Sequence, residues 1–269
     1  MPRARRILQP LGAAAALGLG WGLFEAQWVE LNEVEVPLER LPAELDGLTI
    51  LHLSDFHLGT VSLNGRALEQ AVAWAEGQPI DLVLLTGDLL SRDRAELRLR
   101  NTVARLRGRH GVYSVLGNHD VAAARGALGD GLLEDSSVVL DFAGKRVQLV
   151  GGDPRPGWGR RRLELLADKS VDLTILLFHY PDVSEWLPPA SYDLIVAGHL
   201  HGGQICLPTP GGKLRLEHLH APHWEGLHET AAGMLHVSRG LGTGFVPFRF
   251  LARPEATKLT LRCRTGSTP

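Results

Sequence analysis

Cysteine is scarce: Cys206 and Cys263 are the only two among 269 residues. They lie far apart and match neither a zinc-ribbon spacing nor a disulfide framework, which argues against a thiolate metal site and a disulfide-held scaffold. Cys206 reads as a small apolar strand residue. Lysine is also rare, confined to positions 145, 169, 213 and 258, and the formal net charge is only -2. No run of Lys and Arg interleaves with aromatic residues, so no nucleic-acid-binding surface is evident. Internal repeats are lacking, and low complexity is limited to a short Gly, Ser, Thr and Pro tail.

What is there is ordinary for a folded protein. With 44% hydrophobic and 22% charged residues the chain should bury a substantial core, and its length suits one α/β domain. Arg3, Arg5 and Arg6 precede an uncharged apolar stretch, Ile7–Phe24, close to the ~20 residues that span a bilayer. Residues 1–28 are therefore expected to form a single membrane anchor, and residues 29–269 the catalytic domain. Arginines before the stretch, and Glu30, Glu33, Glu35 and Glu39 after it, put that domain outside the cytoplasm. Export through the twin-arginine-like segment Ala4–Leu8 is the competing reading, with no clear cleavage site following, and a cytoplasmic face stays open.

From Leu48 onward short apolar runs alternate with longer amphipathic ones, the pattern of α/β layering. Strands are expected at Leu48–Leu53, Ile80–Thr86, Val112–Leu116, Leu173–Phe178 and Leu194–Ala197, and helices at Asn64–Glu76 and Arg92–Arg107. Hairpins are expected for Val138–Phe142 with Arg146–Val150, and for Gln204–Leu207 with Lys213–Leu216. Residues 29–47 read as a tether and first edge element. His52 falls on a core position of the first strand and His110 in a loop.

Every chemistry-bearing cluster follows one of these strands, where loops of an open α/β sheet converge. Asp55 and His57 follow the first, Asp88 the second, Asn118, His119 and Asp120 the third, His179 the fourth, and His199 and His201 the last. Carboxylate, amide oxygen and imidazole together suit Mn, Fe or Zn, and a shared carboxylate can hold two ions. The order D-x-H, G-D, G-N-H-[DE], H, G-H-x-H resembles the calcineurin-like metallophosphoesterase family over roughly residues 46 to 256. The segments from Gly198 to Ile205 and Ser238 to Gly242 resemble its membrane-associated or exported bacterial phosphodiesterases.

That resemblance implies a four-layer α/β/β/α sandwich and two divalent metal ions. It implies that Asp55, His57 and His201 hold one ion, that Asn118, His179 and His199 hold the other, and that Asp88 bridges them. His119 is then free to protonate or stabilise the leaving oxygen, and Asp120 is a plausible partner fixing a histidine ring. The expected substrate is a phosphodiester or pyrophosphate on a small molecule or lipid. A UDP-2,3-diacylglucosamine-type lipid precursor comes first, an exported phosphodiesterase or phosphatase acting on other phospholipids or nucleotides second, and a non-catalytic scaffold last. No protein partner is expected. Arg239 and Arg249 are possible phosphate contacts, and Glu217–Trp224 a possible cleft wall.

Overall fold

Two sheets form because the buried strands have apolar side chains on both faces, and each face needs a cover. The computed structural model describes residues 12, 16–61, 65–155, 160–217 and 221–264. The first sheet joins β1 (Glu30–Leu38), β2 (Thr49–Leu53), β3 (Leu82–Thr86), β4 (Val112–Val115) and a late strand, Glu255–Cys263. The second joins β5 (Ser136–Phe142), β6 (Lys145–Gly151), β7 (Leu173–Leu177) and β8 (Leu194–Ala197). A small hairpin, β9 (Cys206–Thr209) with β10 (Gly212–Arg215), stands apart, and β11 (Gly226–Thr230) and β12 (Gly233–Val237) complete the second sheet. The late strand is β13, and the orders are β1-β13-β2-β3-β4 and β11-β12-β8-β7-β6-β5.

The sheets face each other across Ile50, Leu82 and Leu84 on one side and Leu149, Ile175 and Val196 on the other. Helices α2 (Gly65–Glu76), α3 (Glu96–Arg105) and α4 (Ala123–Leu128) cover the outer face of the first sheet. In α2 the buried residues Ala67, Leu68, Ala71, Val72 and Ala75 make one apolar stripe at helical spacing. Helices α5 (Arg160–Leu166) and α6 (Val183–Trp186) lie over the second sheet through Leu163 and Val183. The result is the expected α/β/β/α sandwich. β7 and β8 are buried at every position, which is why they read as apolar runs broken only by Thr174.

The expected hairpin after the last ligand loop slips by two residues at its start. Gln204 takes a left-handed backbone, φ 45°, and spends its side chain on Gly244 N–H and Val246 C=O, so pairing begins at Cys206. The helix expected from Arg92 opens as a short 3-10 turn, Asp93–Ala95, and is α-helical only from Glu96.

The single N-terminal anchor is overturned, and with it the orientation argument that placed the domain outside the cytoplasm. Among the described residues no helix is long and apolar enough to cross a membrane. The described helical residues 16–25, α1, cover about 15 Å at 1.5 Å per residue, against the ~30 Å hydrocarbon thickness. Its end is fastened to the domain: Arg249 N–H donates to Gly22 C=O (3.0 Å) and Ala252 N–H to Glu25 Oε1 (2.7 Å), with Glu25 only 2% exposed. Arg3, Arg5, Arg6 and the segment Ala4–Leu8 lie outside the described residues.

Between the sheets two buried histidines meet: His52 of β2 and His236 of β12 approach Nδ1 to Nδ1 at 2.8 Å. Thr86 Oγ1 donates to Ser54 Oγ (2.8 Å), so it accepts from His52 Nε2–H (2.9 Å). A neutral His52 then has a bare Nδ1, and His236 supplies the proton. Burial, helped by His228 and Arg239, lowers His236 from 6.5 to about 3, and burial together with His236 lowers His52 as well. The unfolded chain therefore binds more protons than the folded one below about pH 6.5. Stability is expected to fall on acidification, by about 1.4 kcal/mol per pH unit for each such histidine. Denaturation midpoints from pH 7 to 5 check this: the slope should be shallower in His236→Gln, and an unchanged slope would acquit His236.

Candidate metal centre

Five site residues sit in left-handed backbone: Asp55 (φ 54°), His57 (47°), Asp88 (53°), His199 (74°) and His201 (49°). The chain turns sharply as it leaves each strand, and the side chains are thrown back over the sheet ends. Glycines make this possible where chains crowd. A Cβ on Gly117 would fall on the Asp88 carboxylate, and one on Gly198 on Ser54 Oγ and Asp55 Oδ2. His199 N–H donates to Asp55 (3.1 Å) and His119 N–H to Asp88 Oδ1 (2.7 Å), so backbone from one loop orients the carboxylate of another.

Two groups of potential ligand atoms result, Asp55 with His57 and His201, and Asp88 with His179 and His199. In the first, His57 Nε2 lies 3.1 Å from His201 Nε2, and Asp55 Oδ1 is 3.6 Å from His201 Nε2. In the second, His179 Nε2 lies 3.0 Å from Asn118 Oδ1. Asp88 Oδ2 is 3.6 Å from His57 Nε2 and 3.4 Å from His179 Nε2, placing one oxygen between the two groups. The rings are held from behind, His57 Nδ1 by Ser91 Oγ (3.0 Å) and His179 Nδ1 by Thr86 C=O (2.8 Å).

The donor set fits divalent cations on its own chemistry. Thr86 C=O can only accept, so His179 Nδ1 carries a proton, and Nε2, facing Asn118 Oδ1 and Asp88 Oδ2, meets them only through a second proton or a cation. Acceptors facing one another need positive charge between them. Without an ion, burial works against a charged His179, yet the Asp88 and Asp55 carboxylates hold it up at about 9. Burial raises Asp55 to about 6, with Asp88 adding to it, and lowers His57 to about 4. Against its own burial, Asp88 is drawn well below the carboxylate range by His179 and His57.

His119 is exposed, its ring 5.6 Å from that of His57 and 6.3 Å from that of Phe245. It lines an open cleft of about 780 Å³ with His57, Ser91, Arg92, Asn118 and Phe245.

Asp120 differs from expectation. Its carboxylate accepts from Leu90 N–H (2.7 Å) and Gly117 N–H (2.8 Å), so it ties two loop backbones together and, among the described residues, bonds no histidine ring. Burial raises it to about 6. Arg249 contacts no cleft either: fully buried, it donates to the carbonyls of Gly242, His201, Ala252 and Arg239. Arg239 is taken up by Glu30 and Glu255. Of Glu217–Trp224, residues 218–220 lie outside the described residues. His223 pairs with Glu185, Trp224 lies under Lys213 and Arg215, and no described residue of this stretch lines the cleft.

Sequence reasoning missed Ser91, Thr86, Arg92 and Arg94. Ser91 and Arg92 follow directly on Gly87-Asp88-Leu89-Leu90, so proximity to a ligand was the available signal.

A two-sheet sandwich with acid, amide and imidazole side chains gathered at the strand ends is the arrangement of a metal-dependent phosphohydrolase. The chain belongs to the calcineurin-like phosphoesterases, whose family model matches residues 48–203. It is similar to the uncharacterized metallophosphoesterase YkoQ of Bacillus subtilis, 30% identical over 85% of this chain and 89% of that protein. It is 28% identical to the uncharacterized metallophosphoesterase YkuE of the same organism, over 93% of each. Among solved structures, the NAD nucleotidase of Haemophilus influenzae aligns with TM-score 0.48 and 15% identity, over 72% of this chain and 45% of that one.

Proposed function

We propose that this chain hydrolyses a phosphodiester or pyrophosphate at a dinuclear centre. Asp55, His57 and His201 would hold one ion, Asn118, His179 and His199 the other, and Asp88 both. The observation that carries this reading is the Asp88 oxygen placed between two acceptor groups, 3.6 Å from His57 and 3.4 Å from His179. Bound divalent ions would polarise the phosphoryl oxygens and make a bound water acidic near neutral pH.

The protein's own groups do the rest. The bond to Thr86 C=O puts a proton on His179 Nδ1, so that Nε2 is the nitrogen for an ion, and Ser91 Oγ holds the His57 ring from behind. His119, exposed in the cleft, is the group positioned to give a proton to the departing oxygen. UDP-2,3-diacylglucosamine remains within this substrate class. The expected N-terminal membrane anchor, which would bring the site close to lipid, no longer supports it, whereas the open cleft admits a substrate with groups on both sides of the phosphorus.

The test is metal analysis beside turnover. Protein reconstituted with Mn should hold about two ions per chain and cleave bis(4-nitrophenyl) phosphate, with activity lost to a chelator and restored by metal. Fewer than about one ion per chain with no hydrolysis would sink the reading.

A further inference from the structure

The cleft holds a cation that the metal centre does not need. Arg92 is exposed in its wall, and its guanidinium has no hydrogen-bond or ion-pair partner among the described residues, whereas Arg239 and Arg249 are saturated. Its place is built. Ser91, the preceding residue, bonds His57 Nδ1, and Gly59, two residues past His57, lies so close that a Cβ there would fall 2.6 Å from Arg92 Cβ. Gly59 also has φ 93°, where other residues are strained. Arg94 donates to Gly59 C=O (2.6 Å) and lines the same cleft, stiffening the loop under Arg92. Beyond the arginines the rim is apolar, with Phe245 90% and Val61 84% exposed.

Charge decides what such a wall can serve. Two divalent ions outweigh the carboxylates of Asp55 and Asp88, so a singly charged diester is already neutralised at the centre. A further free guanidinium in the same cleft as His57 gains only if the substrate carries a second anionic group, and its planar fork matches phosphate oxygens.

We propose that Arg92 binds a second phosphoryl group next to the scissile one and that Phe245 and Val61 take the apolar group beyond it, making pyrophosphate diesters the preferred substrates. This rests on the phosphoesterase reading above and narrows it. An aromatic base and an acyl chain both meet the requirement at the rim, through stacking or burial against Phe245.

The experiment compares wild type, Arg92→Gln, Arg92→Lys and Phe245→Ala on three substrates: bis(4-nitrophenyl) phosphate, diadenosine diphosphate, and UDP-2,3-diacylglucosamine in detergent micelles. Arg92→Gln should lose about 10- to 100-fold in kcat/KM on the pyrophosphate that wild type prefers, chiefly through KM, as expected for a lost charge-assisted bond. It should stay within about twofold on the nitrophenyl diester, and Arg92→Lys should recover part of the loss. Which pyrophosphate suffers from Phe245→Ala tells base from acyl chain. Calorimetric binding of methylene-bridged diadenosine diphosphate gives an independent readout, weakened similarly by Arg92→Gln. Equal losses on all substrates, no loss on any, or a wild type that cleaves only the nitrophenyl diester would overturn the subsite while leaving the phosphoesterase standing. A wild type that cleaves nothing defeats the parent reading, and the binding measurement then decides the role of Arg92 alone.

Discussion

Asp88→Asn is expected to cut turnover at least about 10³-fold and to lower bound metal from two ions to one or fewer, because the shared anion accounts for several kcal/mol of charge stabilisation. The substitution keeps the side-chain shape but changes what the ring nitrogens see. Where a carboxylate oxygen now lies 3.6 Å from His57 Nε2 and 3.4 Å from His179 Nε2, an amide offers at most one neutral oxygen. The fold should survive. Oδ1 accepts from His119 N–H (2.7 Å), a bond an amide oxygen can keep, but without ions the Asp88 carboxylate is also what sustains the charge on buried His179, and its loss costs stability. Chelator-treated variant should therefore still fold but melt below chelator-treated wild type. Turnover within a few-fold of wild type would remove Asp88 from the shared position.

His119→Gln should separate substrates by leaving group. An exposed imidazole in the cleft, outside both ligand groups, contributes where the departing oxygen is too basic to leave unaided. An alkyl phosphodiester should lose about 10²- to 10⁴-fold in kcat, the usual range for general acid catalysis. A nitrophenyl diester, whose leaving group needs little protonation, should lose less than about tenfold. Metal content should not change. Equal losses on both substrates, accompanied by loss of metal, would make His119 part of the ion site instead.

The proposed ligand set was legible because its chemistry is local. Asp55, Asp88, Asn118, His179 and His199 each follow an apolar run, and an open α/β sheet gathers strand ends whatever the strand order. The buried runs Leu173–Leu177 and Leu194–Ala197 were legible for the same reason. Less visible were features that depend on distant partners. Arg249 looks like any other arginine in an arginine-rich chain; only the fold surrounds it with the carbonyls of Gly242 and Ala252. Asp120 reads as a histidine partner by sequence neighbourhood, yet Leu90 N–H, thirty positions away, claims its carboxylate. The apolar stretch ending at Phe24 satisfied a length rule, but the described helix spends Glu25 on the backbone of Ala252. β13 had a readable alternation, Leu259 and Leu261 between Thr260 and Arg262, and went unplaced because its partners lie at the far end of the sequence.

That strand also governs when the domain can come together during synthesis. β13 lies between β1 and β2, pairing Glu30 with Glu255 and Thr49 with Thr260, so the first sheet stays split until nearly all of the chain has left the ribosome. A newly made β1 must wait through more than two hundred residues with its backbone unpaired, a long-range closure that slows folding. Its sequence suits the wait. Glu33 and Glu35 project outward from β1, repel other copies of the same strand, and are matched by Lys258 and Arg262 only when β13 arrives.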